Sequence, residues 1–433
     1  MSPSPAPRPA HDVAAELCRR ARAAARALNA ASTADKDRAL HATARLLRER
    51  TDTLAEQSRR DVEAATAAGL KGALLDRLKL DGARVEALAR AVLEVAALPD
   101  PVGRLEDVTP RPSGIQAGRM RVPLGVILMV YEARPNVTVE AAALALKSGN
   151  AVLLRGGKEA LNANRALSAL FAEALREAGL PAEAAQLVED PDRSVLEALL
   201  PRRGDIELCI PRGGVDLIRK VAAEARMPVV EHFQGICHVY VDDAADLGMA
   251  LDVVRNGKVQ RPGVCNATEC VLVHSAVAAR FLPLLHDELS RANVELRGCA
   301  ESRRHVPAMK AATEQDWDTE FLDLVLAVKV VDGVDAALEF IARHGSRHSE
   351  SIITMRHDRA MRFLREVDAS CVLVNASTRF NDGGELGLGA EMGISTTKLH
   401  AYGPMGLEEL TARKWVVLGH GECRGEQPRR RAN

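Results

Sequence analysis

Cys265 lies in the segment Gln260–Glu269, which has the pattern of a turn followed by a strand. Pro262 and Gly263 predict the turn, and the residues from Thr268 onward predict the strand. A cysteine on a loop at the edge of a sheet can be exposed, and nearby N–H dipoles can favour its nucleophilic thiolate. The alternative is an inert cysteine in the core. Cys265 is therefore a candidate nucleophile, with that alternative still open.

A zinc site is the competing interpretation for this cysteine. The chain offers four possible ligands nearby, namely Cys237, His238, Cys265 and Cys270. However, the chain contains no Cys-x-x-Cys pair, which structural zinc sites usually have. We therefore predict no metal site.

Asn136 follows a predicted strand at residues 126–130 and precedes a predicted helix at residues 137–147. One interpretation is a helix N-cap, a position that asparagine favours. The other is an amide that stabilises an oxyanion, because the carboxyl edge of a parallel sheet commonly carries a site. The local pattern does not decide between the two.

Two further turns follow predicted strands and suit phosphate groups. The first contains Arg155 and Lys158, and the second contains Arg212, Gly213 and Gly214. The second turn begins a helix, whose backbone N–H groups can hold a pyrophosphate. Neither turn is a Walker A loop or a Gly-x-Gly-x-x-Gly fingerprint. For the first turn, a solvated surface loop is an equally good interpretation.

The elements that must position these residues alternate between strands and helices after a helical N-terminal region. We predict helices at residues 13–28, 35–58, 84–97, 137–147, 162–178, 192–200, 215–225, 277–292, 334–344 and 358–366. We predict strands at residues 126–130, 151–154, 185–187, 206–210, 228–230, 238–241, 268–273, 324–331, 350–354 and 371–375. Residues 107–122 suggest a hairpin or arm, and the glycine-rich residues 380–406 a loop. The fold class is α/β, with two doubly wound lobes and a cleft between them.

Composition excludes several classes of function. The net charge of −1 gives no field that would attract nucleic acid or anionic lipid, and 3% aromatic residues argue against base stacking. The first ten residues form no secretory signal, and no apolar run is long enough for a transmembrane helix. Eight scattered cysteines suggest free thiols in a reducing cytoplasm. We expect a cytoplasmic protein with a disordered N-terminus at residues 1–10 and a flexible basic tail at residues 421–433.

Seven stretches together resemble the aldehyde dehydrogenase superfamily and, within it, the phosphate-releasing reductases that act on γ-glutamyl phosphate. They are residues 131–136, 147–150, 210–214, 235–240, 260–269, 382–396 and 398–408. The resemblance implies an NADPH-binding domain at 11–106 and 123–256, and a catalytic domain at 257–397. It also implies a small β oligomerisation arm at 107–122 and 398–420, and hence a homo-oligomer.

The resemblance also implies a role for each candidate residue. Cys265 matches the nucleophile, and Asn136 matches the asparagine that forms an oxyanion hole with the nucleophile's own N–H. Arg155, Lys158, Arg212, Gly213, Gly214 and Glu320 match the region that binds the cofactor. Lys158 stands where NAD-preferring relatives often carry glutamate, which implies NADPH. Candidate substrate-binding residues are Arg134, Arg261, Asp382 and Gly383.

Two positions depart from the pattern of the superfamily. His232, with Glu231 beside it, stands where hydrolytic aldehyde dehydrogenases carry a glutamate general base, and Tyr402 stands where arginine is expected. A reductase that releases phosphate does not need an activated water.

The implied activity is NADPH-dependent reduction of γ-glutamyl phosphate to glutamate 5-semialdehyde and phosphate, through a thioacyl group on Cys265, in proline biosynthesis. Association with the upstream glutamate kinase is a further implication. The alternatives are an oxidative NAD-linked aldehyde dehydrogenase and a non-catalytic protein with the same fold.

Overall fold

The structure, a computed structural model, describes residues 9–231 and 234–424. Its α-helices are α1 (Ala10–Leu28), α2 (Thr33–Glu49), α3 (Thr51–Ala67), α4 (Gly72–Arg77), α5 (Gly82–Ala97), α6 (Val137–Lys147), α7 (Leu161–Glu177), α8 (Arg193–Leu199), α9 (Val215–Glu224), α10 (Leu247–Val259), α11 (Ser275–Arg291), α12 (Ala300–His305), α13 (Glu314–Trp317), α14 (Val334–His344) and α15 (His357–Glu366). Its strands are β1 (Leu105–Pro110), β2 (Gln116–Pro123), β3 (Val126–Tyr131), β4 (Ala151–Gly156), β5 (Ala185–Leu187), β6 (Leu208–Arg212), β7 (Cys237–Val241), β8 (Thr268–His274), β9 (Glu295–Gly298), β10 (Lys310–Ala311), β11 (Val325–Val331), β12 (Ser349–Ile353), β13 (Cys371–Val374), β14 (Ile394–Ser395), β15 (Gly403–Pro404) and β16 (Thr411–Leu418).

The chain forms two compact units. The first contains the residues up to Val229 together with Gly389–Met392 and the residues from Met405 onward. The second contains Val230–Leu388 and Gly393–Pro404. Each unit is built on its own parallel sheet, which confirms the predicted α/β class with two doubly wound parts.

The first unit is built on a four-stranded parallel sheet with the order β5-β4-β3-β6. Every residue of β3 and β4 is buried, as expected for strands that are covered on both faces. The covering helices are amphipathic. In α7, for example, Leu167, Phe171 and Ala174 recur at helical spacing and are all buried. The sheet therefore ends in turns whose positions are fixed by a well-packed core.

A separate three-stranded antiparallel sheet, with the order β1-β2-β16, also belongs to the first unit. The antiparallel pairing of β1 and β2 confirms the hairpin predicted within residues 107–122. Strand β16 pairs with β2 from Thr411↔Pro123 to Leu418↔Gln116. Only the second part of the segment predicted at 398–420 joins this sheet, because Gly393–Pro404 belong to the second unit, where β14 pairs with β15.

The second unit is built on a seven-stranded parallel sheet with the order β10-β9-β11-β8-β7-β12-β13. Successive side chains of a strand point to opposite faces, and the core divides accordingly. In β8, Val271 and Val273 pack into a cluster that includes residues of α10 and α11. Cys270 and Leu272 pack into a second cluster, which includes residues of α14 and α15.

Several expectations require correction. The second unit begins at Val230 and not at the predicted boundary 256/257, because β7 pairs with β8 and β12 in the second sheet. The predicted helix 35–58 is two helices, α2 and α3, since Arg50 leaves the helical region with φ −110° and ψ 19°. The strand predicted at 228–230 is a single bridge between Cys209 and Val229.

Other predictions were accurate to the residue or nearly so. Helices α6 and α14 have the predicted bounds. The predicted disordered N-terminus falls mostly on residues 1–8, and most of the predicted tail falls on residues 425–433, so these predictions lie outside the described residues. In the part of the chain that the structure describes, no helix is long and apolar enough to cross a bilayer.

Candidate active site

Cys265 lies in a closed turn just before β8 begins at Thr268. The N–H of Ala267 donates a hydrogen bond to the carbonyl oxygen of Val264 at 3.0 Å, which closes the turn around Cys265. The side chain of Cys265 is half-buried. The candidate nucleophile is therefore at the amino end of the second sheet.

A later segment of the chain fixes this turn. The buried side chain of Asn266 donates through Nδ2 to the carbonyl oxygen of Asn381 at 3.0 Å. The hydroxyl of Thr378, in the short 3-10 helix Thr378–Phe380, donates to the carbonyl oxygen of Asn266 at 2.7 Å. Sequence reasoning missed both residues, because contacts across more than a hundred positions leave no local pattern.

The segment before β7 packs directly against the same turn. A Cβ atom on Gly235 would lie 1.9 Å from the carbonyl oxygen of Cys265, so only glycine fits. The thiol of Cys237 donates to the same oxygen at 3.2 Å. Burial raises the pKa of Cys237 well above its usual range, so Cys237 stays protonated. Cys237 therefore supports the turn as a hydrogen-bond donor.

Other cysteines are less suited to act in this site. Burial raises the pKa of Cys209 and Cys270, and it raises the pKa of Cys18 to about 11. Cys299 is different: burial raises its pKa, but hydrogen bonds from Ser302 and from the N–H of Val330 outweigh that effect and lower it. Cys299 follows β9, however, and so lies at the opposite end of the parallel sheet from Cys265.

Glu320 is held by the same segment that packs on Cys265. The N–H of Gly235 donates to the Glu320 carboxylate. Burial raises the pKa of Glu320, and this hydrogen bond lowers it by less. Nearby, Lys258 and Glu269 form a buried ion pair of 2.6 Å, and Lys258 also donates to the carbonyl oxygen of Asp323 at 3.0 Å. Burial raises the pKa of Glu269 to about 7, although Lys258 opposes the shift. The pair anchors the segment that carries Glu320.

Asn136 immediately precedes α6 and is half-buried. Its backbone is already helical, with φ −55° and ψ −34°, and its side chain makes no capping hydrogen bond, so the N-cap interpretation is wrong. Instead, Nδ2 donates to the Glu140 carboxylate at 2.9 Å, one turn along the helix. A primary amide has two N–H donors, so the second remains for another acceptor.

Arg155 lies within β4 and Lys158 follows that strand, and the structure gives them different environments. The buried Arg155 guanidinium donates to the carbonyl oxygens of Gly156 and Pro191, the latter at 2.8 Å, and burial lowers its pKa. Lys158 is exposed and forms no ion pair with any described residue. Lys158 is therefore the cation available to a ligand, whereas Arg155 supports the turn.

The turn at Arg212, Gly213 and Gly214 joins β6 to α9, as predicted. Its glycines are exposed, but the N–H of Gly214 already donates to a carboxylate oxygen of Glu132 at 2.9 Å. A Cβ atom on Gly213 would lie 2.5 Å from the same oxygen. A protein carboxylate thus occupies the predicted anion site, a contact that sequence reasoning missed.

The predicted substrate-binding residues are divided between the units. Arg134 lies in the first unit, whereas Arg261, Asp382 and Gly383 lie in the second. Arg261 is exposed, while Asp382 accepts hydrogen bonds from the N–H groups of Gly384 at 3.0 Å and Glu385 at 3.4 Å. Gly383 is buried, and its carbonyl oxygen accepts from the N–H of Leu388 at 2.8 Å. Asp382 and Gly383 therefore shape their own loop.

Two other predictions bear on the chemistry. His232 lies outside the described residues, whereas the carbonyl oxygen of Glu231 accepts hydrogen bonds from the N–H and hydroxyl of Thr396, both at 3.1 Å. Tyr402 donates through its hydroxyl to Asp368 at 3.1 Å. Among the described residues, no group of three or more His, Cys, Asp or Glu side chains is arranged to hold a metal ion.

Comparison with known proteins identifies the family. The model of the aldehyde dehydrogenase family matches residues 6–314. γ-Glutamyl phosphate reductase of Sorangium cellulosum is 57% identical over 94% of this chain and 97% of its own length, and that of Desulfatibacillum aliphaticivorans is 52% identical over 96% and 99%. The crystal structure of γ-glutamyl phosphate reductase from Thermotoga maritima superimposes with a TM-score of 0.93 at 47% identity, over 95% of this chain and 100% of that one. The predicted resemblance is confirmed: the chain belongs to the aldehyde dehydrogenase family and, within it, to the γ-glutamyl phosphate reductases.

Proposed function

We propose that this enzyme reduces γ-glutamyl phosphate to glutamate 5-semialdehyde and inorganic phosphate, with NADPH as the reductant, as a step of proline biosynthesis. The names of its relatives support the substrate. The observation that carries the chemistry is the turn at Cys265, where a half-buried thiol is held by Asn266, Thr378 and Gly235. Such a fixed thiol suits covalent catalysis.

In the proposed mechanism, Cys265 acts as the nucleophile. Its thiolate sulfur forms a bond to the acyl carbon of the substrate, the bond from that carbon to the phosphate oxygen breaks, and phosphate leaves with the electron pair. When bound, NADPH supplies the hydride that reduces the thioacyl carbon. The carbon–sulfur bond then breaks, which releases the aldehyde and regenerates the thiolate of Cys265.

The oxyanion that forms during the attack needs hydrogen-bond donors. We assign this role to the free N–H of the Asn136 amide and to the main-chain N–H of Cys265. Glu140 fixes the orientation of Asn136 through the other amide hydrogen. A donor that is oriented before the reaction costs no reorganisation when the charge develops.

Several residues fit a nicotinamide cofactor with a 2′-phosphate. The exposed Lys158 suits a phosphate group. The Glu320 carboxylate suits ribose hydroxyls, because its two oxygens can accept more hydrogen bonds than the one from Gly235. Gly213 and Gly214 offer exposed backbone before α9, but Glu132 must release the Gly214 N–H before a pyrophosphate can use it. Arg155 would act indirectly, through the turn that it supports.

Phosphate dependence tests the proposed function. The purified protein is assayed for oxidation of glutamate 5-semialdehyde with NADP⁺, in buffer with phosphate, with arsenate, and with neither. We expect steady NADPH formation with phosphate or arsenate, and at most one turnover per site without them, because the thioacyl group then has no acceptor. Steady turnover without either anion would mean that water is activated, and the protein would then be an oxidative aldehyde dehydrogenase.

We also propose that the three-stranded arm joins copies of this chain. Strand β16 exposes Trp415, Val417 and Leu418, with relative exposures of 59%, 57% and 52%. Apolar side chains clustered on one exposed strand are typical of an interface. Sedimentation of the wild type and of Trp415→Ser tests this proposal. The oligomer of the variant should dissociate into smaller species, and a sedimentation coefficient equal to that of the wild type would contradict the assignment.

A further inference from the structure

The segment that fixes the nucleophile turn also carries a cation. Arg379 follows Thr378 in the 3-10 helix Thr378–Phe380, and its carbonyl oxygen accepts a hydrogen bond from Asn266 Nδ2 at 3.4 Å. Asn266 is the residue after Cys265. The fold therefore places the backbone of Arg379 beside the nucleophile turn, and the position does not depend on a freely moving side chain.

A second contact orients the guanidinium. Arg379 Nε donates to Gln260 Oε1 at 2.8 Å, and Gln260 is the residue that follows α10, shortly before Cys265. Both ends of Arg379 are thus attached to the segment that carries the nucleophile. The terminal nitrogens of the guanidinium remain for another ligand, since Arg379 forms no ion pair with a carboxylate in the described ranges 9–231 and 234–424.

The partial burial of Arg379 favours a bound anion. Its side chain is half-buried, and burial lowers the pKa of Arg379, so the cation has lost part of its hydration. Asp382 stabilises the cation by more than the like charge of Arg261 opposes it, but the Asp382 carboxylate forms no ion pair with Arg379 in the described ranges and accepts the N–H groups of Gly384 and Glu385. A bound oxyanion would replace the lost hydration, and the planar guanidinium matches phosphate or carboxylate geometry.

We propose that Arg379, oriented by Gln260, binds the phosphoryl group of the substrate and holds the departing phosphate beside Cys265. This inference rests on the proposed function, which supplies the phosphoryl group. γ-Glutamyl phosphate also carries an α-carboxylate, but that group lies at the far end of the substrate from the acyl carbon that Cys265 attacks. The phosphoryl group is bonded to this carbon through one oxygen, so it is the oxyanion that reaches a cation beside the nucleophile turn.

The first test uses the reverse reaction with Arg379→Gln. The KM for phosphate should rise roughly 10- to 100-fold, which is the factor expected for loss of one hydrogen bond between charged groups. The KM values for glutamate 5-semialdehyde and NADP⁺ should not change. Arg365→Gln is the matched control, because it removes the same charge from an exposed position on α15 and should leave all three constants unchanged.

The second test needs no turnover. Inorganic phosphate should slow alkylation of Cys265 by iodoacetamide in the wild type, and Arg379→Gln should need a correspondingly higher phosphate concentration for the same protection. A rise in the KM for the semialdehyde alone would assign Arg379 to the α-carboxylate and overturn the proposal, as would unchanged constants. If Arg379→Gln does not fold, Gln260→Ala decides: the KM for phosphate must rise, and an unchanged value overturns the proposal.

The two proposals can fail separately. Oxidation by the wild type that proceeds steadily without phosphate would contradict the proposed function, whatever the variants do. Oxidation by the wild type that depends on phosphate, together with an unchanged phosphate KM in Arg379→Gln, would contradict only the role of Arg379.

Discussion

The thiol of Cys237 donates a hydrogen bond to the main-chain oxygen of Cys265 at 3.2 Å. The two cysteines thus share one site with different roles. Cys237 is fully buried, and burial keeps its pKa well above the usual range, whereas Cys265 is half-buried on its turn. One thiol supports the backbone, and the other is accessible to a substrate.

We predict that Cys265→Ser folds normally and loses turnover by orders of magnitude, because a hydroxyl ionises far less than a thiol near neutral pH. Cys237→Ser is the matched control: its hydroxyl can still donate to the Cys265 oxygen, so turnover should persist. The measurement is kcat for both variants, with thermal unfolding to confirm the fold. A Cys265→Ser variant with nearly wild-type kcat would refute covalent catalysis.

Asn136→Ala should lower kcat by roughly 10²–10³, the usual cost of removing one oxyanion-hole donor. Its melting temperature should change little, because Asn136 makes no capping hydrogen bond. Glu140→Gln is the control: the amide oxygen of glutamine can still accept from Asn136, so the loss of kcat should be smaller. A fall in stability of about 1 kcal/mol with kcat preserved would show that Asn136 stabilises the start of α6 and does not act on the oxyanion.

Lys158→Glu should weaken the binding of NADPH, and it should leave the binding of NADH unchanged or improve it. A charge-assisted contact contributes roughly 1.5–3 kcal/mol, so the ratio of kcat/KM for the two cofactors should fall by about 10- to 100-fold. Lys71→Glu makes the same change at an exposed position before α4 and should leave the ratio unchanged. An unchanged ratio in Lys158→Glu would show that the 2′-phosphate is recognised elsewhere.

Gly235→Ala should damage activity more than stability. The new methyl group would lie 1.9 Å from the Cys265 oxygen, so the nucleophile turn must shift, and a displacement of this kind can cost about 10²-fold in rate. Gly204→Ala meets no atom within 4 Å and serves as the control. Measured kcat values for the two variants should differ clearly; equal values would mean that the turn tolerates displacement.

The three-stranded sheet β1-β2-β16 should become less stable in acid. Hydrogen bonds from Arg104 and Arg121 lower the pKa of Glu106 from 4.5 to about 2. A carboxyl whose pKa is lower in the folded state contributes stability above its ordinary pKa and loses it as the pH falls from about 4.5 to 2. Protection factors of the β1 and β2 amides, corrected for the intrinsic exchange rate at each pH, should fall across this range, and Glu106→Gln should reduce that pH dependence. Identical profiles for the two proteins would contradict the assignment.

Periodicity and turn residues predicted most of the fold, because strands such as β3 and helices such as α14 have patterns that depend only on local burial. The prediction of Cys265 also rested on a local pattern, its Pro-Gly turn. By contrast, the contacts of Thr378 with Asn266 and of Glu132 with Gly214 join distant parts of the chain. The misplaced domain boundary has the same origin, since β7 has a strand pattern that does not say which sheet it joins.

The pairing of β2 with β16 has a consequence for folding during synthesis. Strand β16 follows the whole second unit in chain order, yet it completes a sheet of the first. Ribosomes add about 5–20 residues per second, so β2 is exposed for on the order of 15–60 seconds before β16 is made. During that time its edge is open to a neighbouring chain, and two nascent proteins that exchange β16 would form a domain-swapped pair.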